Sequence, residues 1–371
     1  RVQNSGAGAV VQANLGTLTV NGGITGGGQA ISNAGATLNL SNATAASNVN
    51  TLAVNGALNL GAQNVNVAKD YTNANWGSGN GFNARANVSG AGQITGVNAA
   101  QSIGGDAVLA SANTYTLDLG AVRGGTSVTK NLTIVNSGSG ADIRGAIQTG
   151  APGLGNVTDA RLSGAGVTAG NFGPIAAGGN SGNLAVTFNA SSGGALTGQS
   201  VAVVSNFGNV ATQTINLAGT AYNVAVGSTT PAPVVLANQR VGGTLTQALT
   251  VANTAPSGAF SEALNAGFSG FTGNATHNGG AVANLAAGAS NASAMSVGVN
   301  TSSAGARSGS VTLAYQTDGT GPNGNSGLAA ISAGTQTISV QGNVYNMAAG
   351  SASPTPVVLA AQRIGGSLTQ T

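Results

Sequence analysis

The chain has 371 residues; 5% are charged, 41% are hydrophobic, 62 are glycine and none is cysteine. This length suits about two to four domains, and that hydrophobic share with so little charge excludes a disordered polyelectrolyte. The net charge of +3 comes from ten bases and seven acids. Lys69, Arg85, Arg123, Lys130, Arg144 and Arg161 are scattered singly, which excludes the clustered basic surface of a nucleic-acid-binding protein.

No apolar run approaches the length of a membrane-spanning helix. Arg1-Val2-Gln3-Asn4-Ser5 leads into glycine and alanine rather than a leader, so a secreted chain would carry its signal upstream. The polar residues are mostly Asn, Ser, Thr and Gly, which serve strands and tight turns.

Residues 1–92 read as short strands in quick succession. Leu18 and Val20 alternate with polar residues, and Leu38 and Leu40 repeat the pair 20 residues later. Leu52/Val54, Leu58/Leu60 and Val65/Val67 follow, each bounded by Asn, Gly or Ser. Period-2 pairs with variable loops predict a parallel β-helix-like segment, with Asn39, Asn55, Asn59, Asn64 and Asn66 forming ladders or turns. The alternative is a small antiparallel sandwich. Tyr71, Trp76 (the only tryptophan) and Phe82 are expected to cap the open end of the helix. Residues 93–106 then form a junction.

From 107 the pattern becomes that of an immunoglobulin-like sandwich. In 107–222 strands are expected at 114–120, 128–136, 184–188, 200–205 and 214–218. In 223–345 they are expected at 234–236, 245–253, 295–299, 311–315 and 337–345. Ala283 to Ala289 resembles a helix but is broken by Gly288.

The second half repeats itself. Pro233-Val234-Val235-Leu236-Ala237-Asn238-Gln239-Arg240-Val241-Gly242-Gly243 returns 123 residues later as Pro356-Val357-Val358-Leu359-Ala360-Ala361-Gln362-Arg363-Ile364-Gly365-Gly366. Gly219 to Tyr222 matches Gly342 to Tyr345 at the same offset. A period of this length is a whole domain, so residues 346–371 read as the truncated start of a third repeat within a longer array. Val357 to Leu359 and Leu368 to Thr371 are the strands expected to seek a partner.

Tyr71-Thr72-Asn73-Ala74-Asn75, Ala86-Asn87-Val88-Ser89-Gly90-Ala91-Gly92-Gln93-Ile94, Leu162-Ser163-Gly164-Ala165-Gly166-Val167 and Asn171-Phe172-Gly173-Pro174-Ile175 carry a resemblance. The chain resembles bacterial choice-of-anchor D domain-containing repeat proteins and autotransporter-like exported adhesins. The resemblance is strongest over 70–222. It implies a secreted or surface-anchored bacterial protein with a β-helical part and immunoglobulin-like modules, and it brings no activity with it. The anchor that such proteins carry at the C-terminus is not part of this sequence.

Chemistry-bearing residues are sparse. His277 is the only histidine, and Glu262 has no nucleophile elbow near it, so no catalytic group is assigned. The acids lie far apart and form no glycosidase pair. Asp318-Gly319-Thr320-Gly321-Pro322-Asn323-Gly324-Asn325 approaches a calcium loop with one acid only, and reads as a hairpin loop. Gly26-Gly27-Gly28, Gly104-Gly105 and Gly178-Gly179 read as turns, not phosphate cradles. No cofactor and no metal are expected.

An arginine stands at the same place before glycine in each unit: Arg123, Arg240 and Arg363. Together with Tyr222 and Tyr345 these are the candidate inter-domain contacts. The competing role is a strand-end arginine laid against the closing tyrosine or against loop carbonyls.

The expected function is structural: an extracellular stalk, filament or adhesin segment on a bacterial cell surface, capable of polymerising through β-edges. Its expected partners are other copies of itself, neighbouring repeats and surface glycans. The alternative is a carbohydrate-binding module or carbohydrate-active enzyme on the β-helix, although residues 1–69 hold no aromatic and no acid.

Overall fold

The computed structural model describes every residue except Ala7 and Pro354. Among the described residues the regular structure is strand, with single 3-10 turns at Gly79–Gly81 and Ala165–Val167. The span 283–289 is not helical: Ala281–Leu285 is a strand, and Gly288 turns the chain at a φ of 78°. The chain divides into two compact units, Arg1–Val224 with Ala259–Ser261, and Ala225–Gly258 with Glu262–Thr371.

The first unit opens with strands that alternate between two parallel sheets. Val10–Ala13, Gln29–Ser32, Ser47–Val54, Val65–Asn73 and Ile94–Gly96 form one. Gly16–Thr19, Ala36–Asn39, Ala57–Asn59 and Val88–Ser89 form the other. Each strand pairs with the next of its own sheet. A separation of 20 residues stacks Leu18 on Leu38 and Leu38 on Leu58, and a longer step of 30 residues places Val88 on Leu58. Leu38 and Leu58 are buried, and each such side chain contributes about 1.5–3 kcal/mol.

Period 2 turns the intervening Asn and Thr outward. Some of them form ladders, with Asn66 Nδ2 donating to Asn48 Oδ1 at 2.9 Å and Thr95 Oγ1 to Asn66 Oδ1 at 2.6 Å. Others serve turns, as where Asn59 Oδ1 accepts from the Gly61 amide.

The rest of the first unit is a pair of sheets around one apolar core containing Leu117, Leu132, Ile134, Ile143, Val186, Phe188, Val201 and Ile215. In one sheet the order is Gln101–Gly105, Ser127–Asn136, Leu184–Asn189, Leu162–Ser163. In the other it runs Thr114–Arg123, Gln213–Tyr222, Gln199–Ser205, Ile143–Gln148, Gly170–Ile175, with Val108–Ser111 outside the first strand. Thr114–Arg123 runs parallel to the closing strand Gln213–Tyr222. This is immunoglobulin-like strand order.

The span 93–106 is divided between these two structures. Ile94–Gly96 extends the parallel sheet, and Gln101–Gly105 is the first strand of the sandwich.

Among the described residues the second unit repeats that order, without a counterpart of the edge strand Val108–Ser111. One sheet is Gly227–Thr230, Gln247–Asn253, Ser290–Val299, Ala275–His277. The other has Val234–Val235 and Gln239–Arg240 parallel to the closing strand Ile331–Tyr345, followed by Gly305–Asp318, Ala263–Gly273 and Ala281–Leu285. Leu249, Val251, Met295, Val297, Val311, Leu313, Ile338 and Val340 fill its core.

The described residues of 346–371 contain no strand, so the strands expected at 357–359 and 368–371 do not form. The physical reason lies in the preceding repeat. There Val234–Val235 is held by the closing strand at Val340–Gln341, and 346–371 contains no counterpart of that strand.

Candidate functional site

The shared arginines sit in a common turn. Arg123, Arg240 and Arg363 each accept, at the backbone carbonyl, from the amide three residues on, at 3.1, 2.9 and 3.1 Å. The third residue of each turn is Gly125, Gly242 or Gly365, with φ of 81°, 78° and 87°, the left-handed position that a type II turn requires. The motif thus encodes a turn that ends the strand parallel to the closing strand.

Register places Arg123 opposite Tyr222 and Arg240 opposite Tyr345. Each tyrosine carbonyl accepts the amide following the arginine, Gly124 at 2.7 Å and Val241 at 2.9 Å. The arrangement places Arg123 and Arg240 each beside the closing tyrosine of its own module. Arg363 repeats the turn.

The most developed polar cluster of the first unit joins its parallel sheets to its sandwich. Val65–Asn73 runs past the strand Ile143–Gln148, and a shift of register between Val67 and Asp70 breaks the alternation, so that the consecutive Lys69 and Asp70 both reach acceptors and donors there. Arg144 Nε and Nη2 grip Asp70 bidentately at 2.8 and 3.0 Å, and Lys69 Nζ meets Asp142 Oδ1 at 3.0 Å. Asn206 binds both sides: its Oδ1 accepts the Arg144 amide at 3.1 Å and its Nδ2 donates to the Tyr71 carbonyl at 3.1 Å. Asn209 exchanges two 2.9 Å bonds with the Gly96 backbone.

Beneath these pairs lies an aromatic core. Tyr71 is fully buried, edge-on to Trp76 at 5.3 Å, and Trp76 lies 5.4 Å from Phe82. Phe207, from the sandwich, packs 6.2 Å from Tyr71 and is 2% exposed. The phenol of Tyr71 donates to the Ala84 carbonyl at 2.6 Å, and burial raises its pKa. The three aromatic residues expected at a cap pack together, and the sandwich supplies a fourth ring. Phe207 and Asn206 sit in a Ser-Asn-Phe-Gly loop whose sequence gives no sign of that role.

A second polar cluster anchors the sandwich itself. Arg161 forks onto Asp159, donates to the Ser192 and Gly194 carbonyls, and lies over the Phe188 ring at 5.1 Å. The Arg161 guanidinium holds the Asp159 carboxyl below the usual carboxylate range.

The residues weighed for catalysis lie apart in role. His277 stacks on Phe268 at 4.3 Å, with its Nδ1 accepting the Gly279 amide. Glu262 is fully buried and accepts from the Thr317 and Ser326 hydroxyls. Asp318 closes its own loop by accepting the Thr320 amide and hydroxyl, and also accepts from Asn265. Among the described residues no group of three His, Cys, Asp or Glu is placed to hold a metal ion.

The sequence reading missed one cluster altogether. In the second unit Thr229, Tyr315 and Gln336 meet, Thr229 and Tyr315 being 1% and 3% exposed. Among the described residues no helix is long and apolar enough to cross a membrane.

No protein-family model matches the sequence, and no match was found among curated proteins. Solved structures with some similarity include the I-band fragment I67–I69 from titin, at 7% identity and a TM-score of 0.27, covering 70% of this chain and 69% of that one. Protocadherin gamma B2 extracellular cadherin domains 3–6 match at 8% identity and a TM-score of 0.25, covering 68% and 52%. CfaE, the adhesive subunit of the CFA/I fimbria of enterotoxigenic Escherichia coli, matches at 11% identity and a TM-score of 0.22, covering 81% and 98%. Overlap at this level leaves the role of the chain to its own residues.

Proposed function

We propose that this chain is a structural segment, a stalk, filament or adhesin part, of a protein displayed outside a bacterial cell. On this reading residues 1–96 are a short parallel β-helix, supported by the alternation of strands between two parallel sheets. The observation that carries the proposal is the joint within the first unit, where two ion pairs, Asn206 and a four-ring core bind that segment to a sandwich. Such a joint resists bending, which a load-bearing element needs and a mobile catalytic domain does not. The chain turns over no small substrate and works through its surfaces, with copies of itself as the first partners.

Antibodies against residues 1–224 test the location. They should label intact cells of the source organism; labelling that appears only after lysis would sink the proposal. Assembly through β-edges has its own measurement. A chain extended to a complete third module should still sediment as oligomers at micromolar concentration, and a clean monomer would count against polymerisation.

A further inference from the structure

The first and closing strands of the second sandwich carry Thr229 and Gln336. The Gln336 side chain lies along the Thr229 backbone. Its Oε1 accepts the Thr229 amide at 2.8 Å, and its Nε2 donates to the Thr229 carbonyl at 2.8 Å. Tyr315 completes the group. Its hydroxyl donates to Gln336 Oε1 at 2.8 Å and lies 2.6 Å from Thr229 Oγ1. With the phenolic proton on Oε1, the remaining direction has Thr229 Oγ1–H donating to Tyr315 Oη.

Three functions thus converge on one amide. The carbonyl oxygen of Gln336 sits between two donors, the Thr229 N–H and the Tyr315 O–H, which is the arrangement that stabilises an oxyanion. The Thr229 hydroxyl, the nucleophile, lies one hydrogen bond away, on the Tyr315 hydroxyl that donates to that oxygen. The Tyr315 hydroxyl links that nucleophile to the carbonyl oxygen, as a relay for the proton.

Thr229 and Tyr315 are buried and Gln336 is half-buried; desolvation raises the Tyr315 pKa, which keeps the phenol protonated. Gly227 makes room for the ring: a Cβ there would lie 2.4 Å from the Tyr315 ring.

We propose that Thr229 and Gln336 condense to an intramolecular ester that ties the first strand of this sandwich to its last. Thr229 Oγ1 forms a bond to Gln336 Cδ. Its proton passes to Tyr315 Oη as the Tyr315 proton moves to Oε1, giving a neutral tetrahedral adduct. The adduct then expels the amide nitrogen, which takes up the Oε1 proton and leaves as ammonia. No oxidant, reductant or second substrate takes part.

The first sandwich is an internal control. It keeps the glutamine, as Gln213, at the 123-residue offset, but Ile103 pairs with Ile134 where Thr229 pairs with Val251. It has no hydroxyl there to acylate. The inference rests on the second unit alone and stands or falls separately from the surface reading.

Intact mass of the full chain tests it. The ester predicts a mass about 17 Da below that of the sequence, the loss of one ammonia. Trypsin cuts after Arg161, Arg240, Arg307 and Arg363, so residues 162–240 and 308–363 should elute as one branched species. Hydroxylamine should separate them.

Thr229→Val should give two linear peptides, whereas Thr229→Ser, which keeps the hydroxyl, should stay linked. Tyr315→Phe should slow linkage about a hundredfold. Full sequence mass with the two peptides separate after prolonged incubation would overturn the inference. So would a mass deficit that maps instead to a cyclic imide at an Asn-Gly pair such as Asn278-Gly279.

Discussion

Phe207→Ala tests the joint of the first unit most directly. The side chain is 2% exposed and packs against Tyr71 in the core that the parallel strands share with the sandwich. Truncating a buried phenylalanine costs about 3–5 kcal/mol, from lost transfer energy and from the cavity left behind. Relaxation is limited here, because Asn206 beside it stays fixed to Arg144 and to the Tyr71 carbonyl. The upper half of that range is therefore expected.

The protein carries its own probe. Trp76 is the only tryptophan and touches Tyr71, so its fluorescence reports the joint and not the second unit. With a urea dependence of about 3 kcal/mol per molar, the Trp76 midpoint should fall by roughly 1–2 M. Far-UV circular dichroism of the second unit should keep its own midpoint. An unmoved Trp76 midpoint, or an equal fall in both transitions, would refute the idea that Phe207 holds these parts together.

The ion pair above the aromatic core gives a second measure. A double-mutant cycle on Asp70→Asn and Arg144→Gln should return a coupling of about 1–3 kcal/mol, because the pair is bidentate and its side chains are only 24% and 23% exposed. A coupling near zero would place it among ordinary surface pairs. Asp159 has a folded pKa held below its unfolded value by Arg161, so its contribution is complete above the ordinary carboxylate range. That contribution should disappear as pH falls through the depressed value. Acid titration of the midpoint should show this loss in the native chain and not in Asp159→Asn; identical profiles would contradict it. Gly227→Ala forces the Tyr315 ring aside and should destabilise the second sandwich by about 1–3 kcal/mol. A neutral effect would mean that the ring has room to move.

Much of this architecture was legible in the chain itself. Period-2 apolar pairs identified the short strands of residues 1–92, and Leu18, Leu38 and Leu58 became a column in which Leu38 and Leu58 are buried. The recurring Arg-x-Gly announced a shared role, which the structure makes a turn, because only glycine takes φ near 80° without strain. The repeated closing segments announced two sandwiches of one strand order. Local sequence is enough for these features because alternation, turn chemistry and repetition are local properties.

The rest depended on partners distant in sequence. Ile143–Gln148 and Ala263–Gly273 are central strands, yet their glycines blur the alternation, and only pairing on both sides makes them strands. Val357 to Leu359 has the composition of a strand and forms none, because a strand needs a neighbour to take its backbone hydrogen bonds. Phe207 and Asn206 gained their place in the joint only when the sandwich folded against the parallel sheets. Thr229 and Gln336 stand 107 residues apart, and no motif links them. Composition determined that this would be a strand protein with little room for ionic chemistry; the meeting of the first and last strands decided which polar side chains touch.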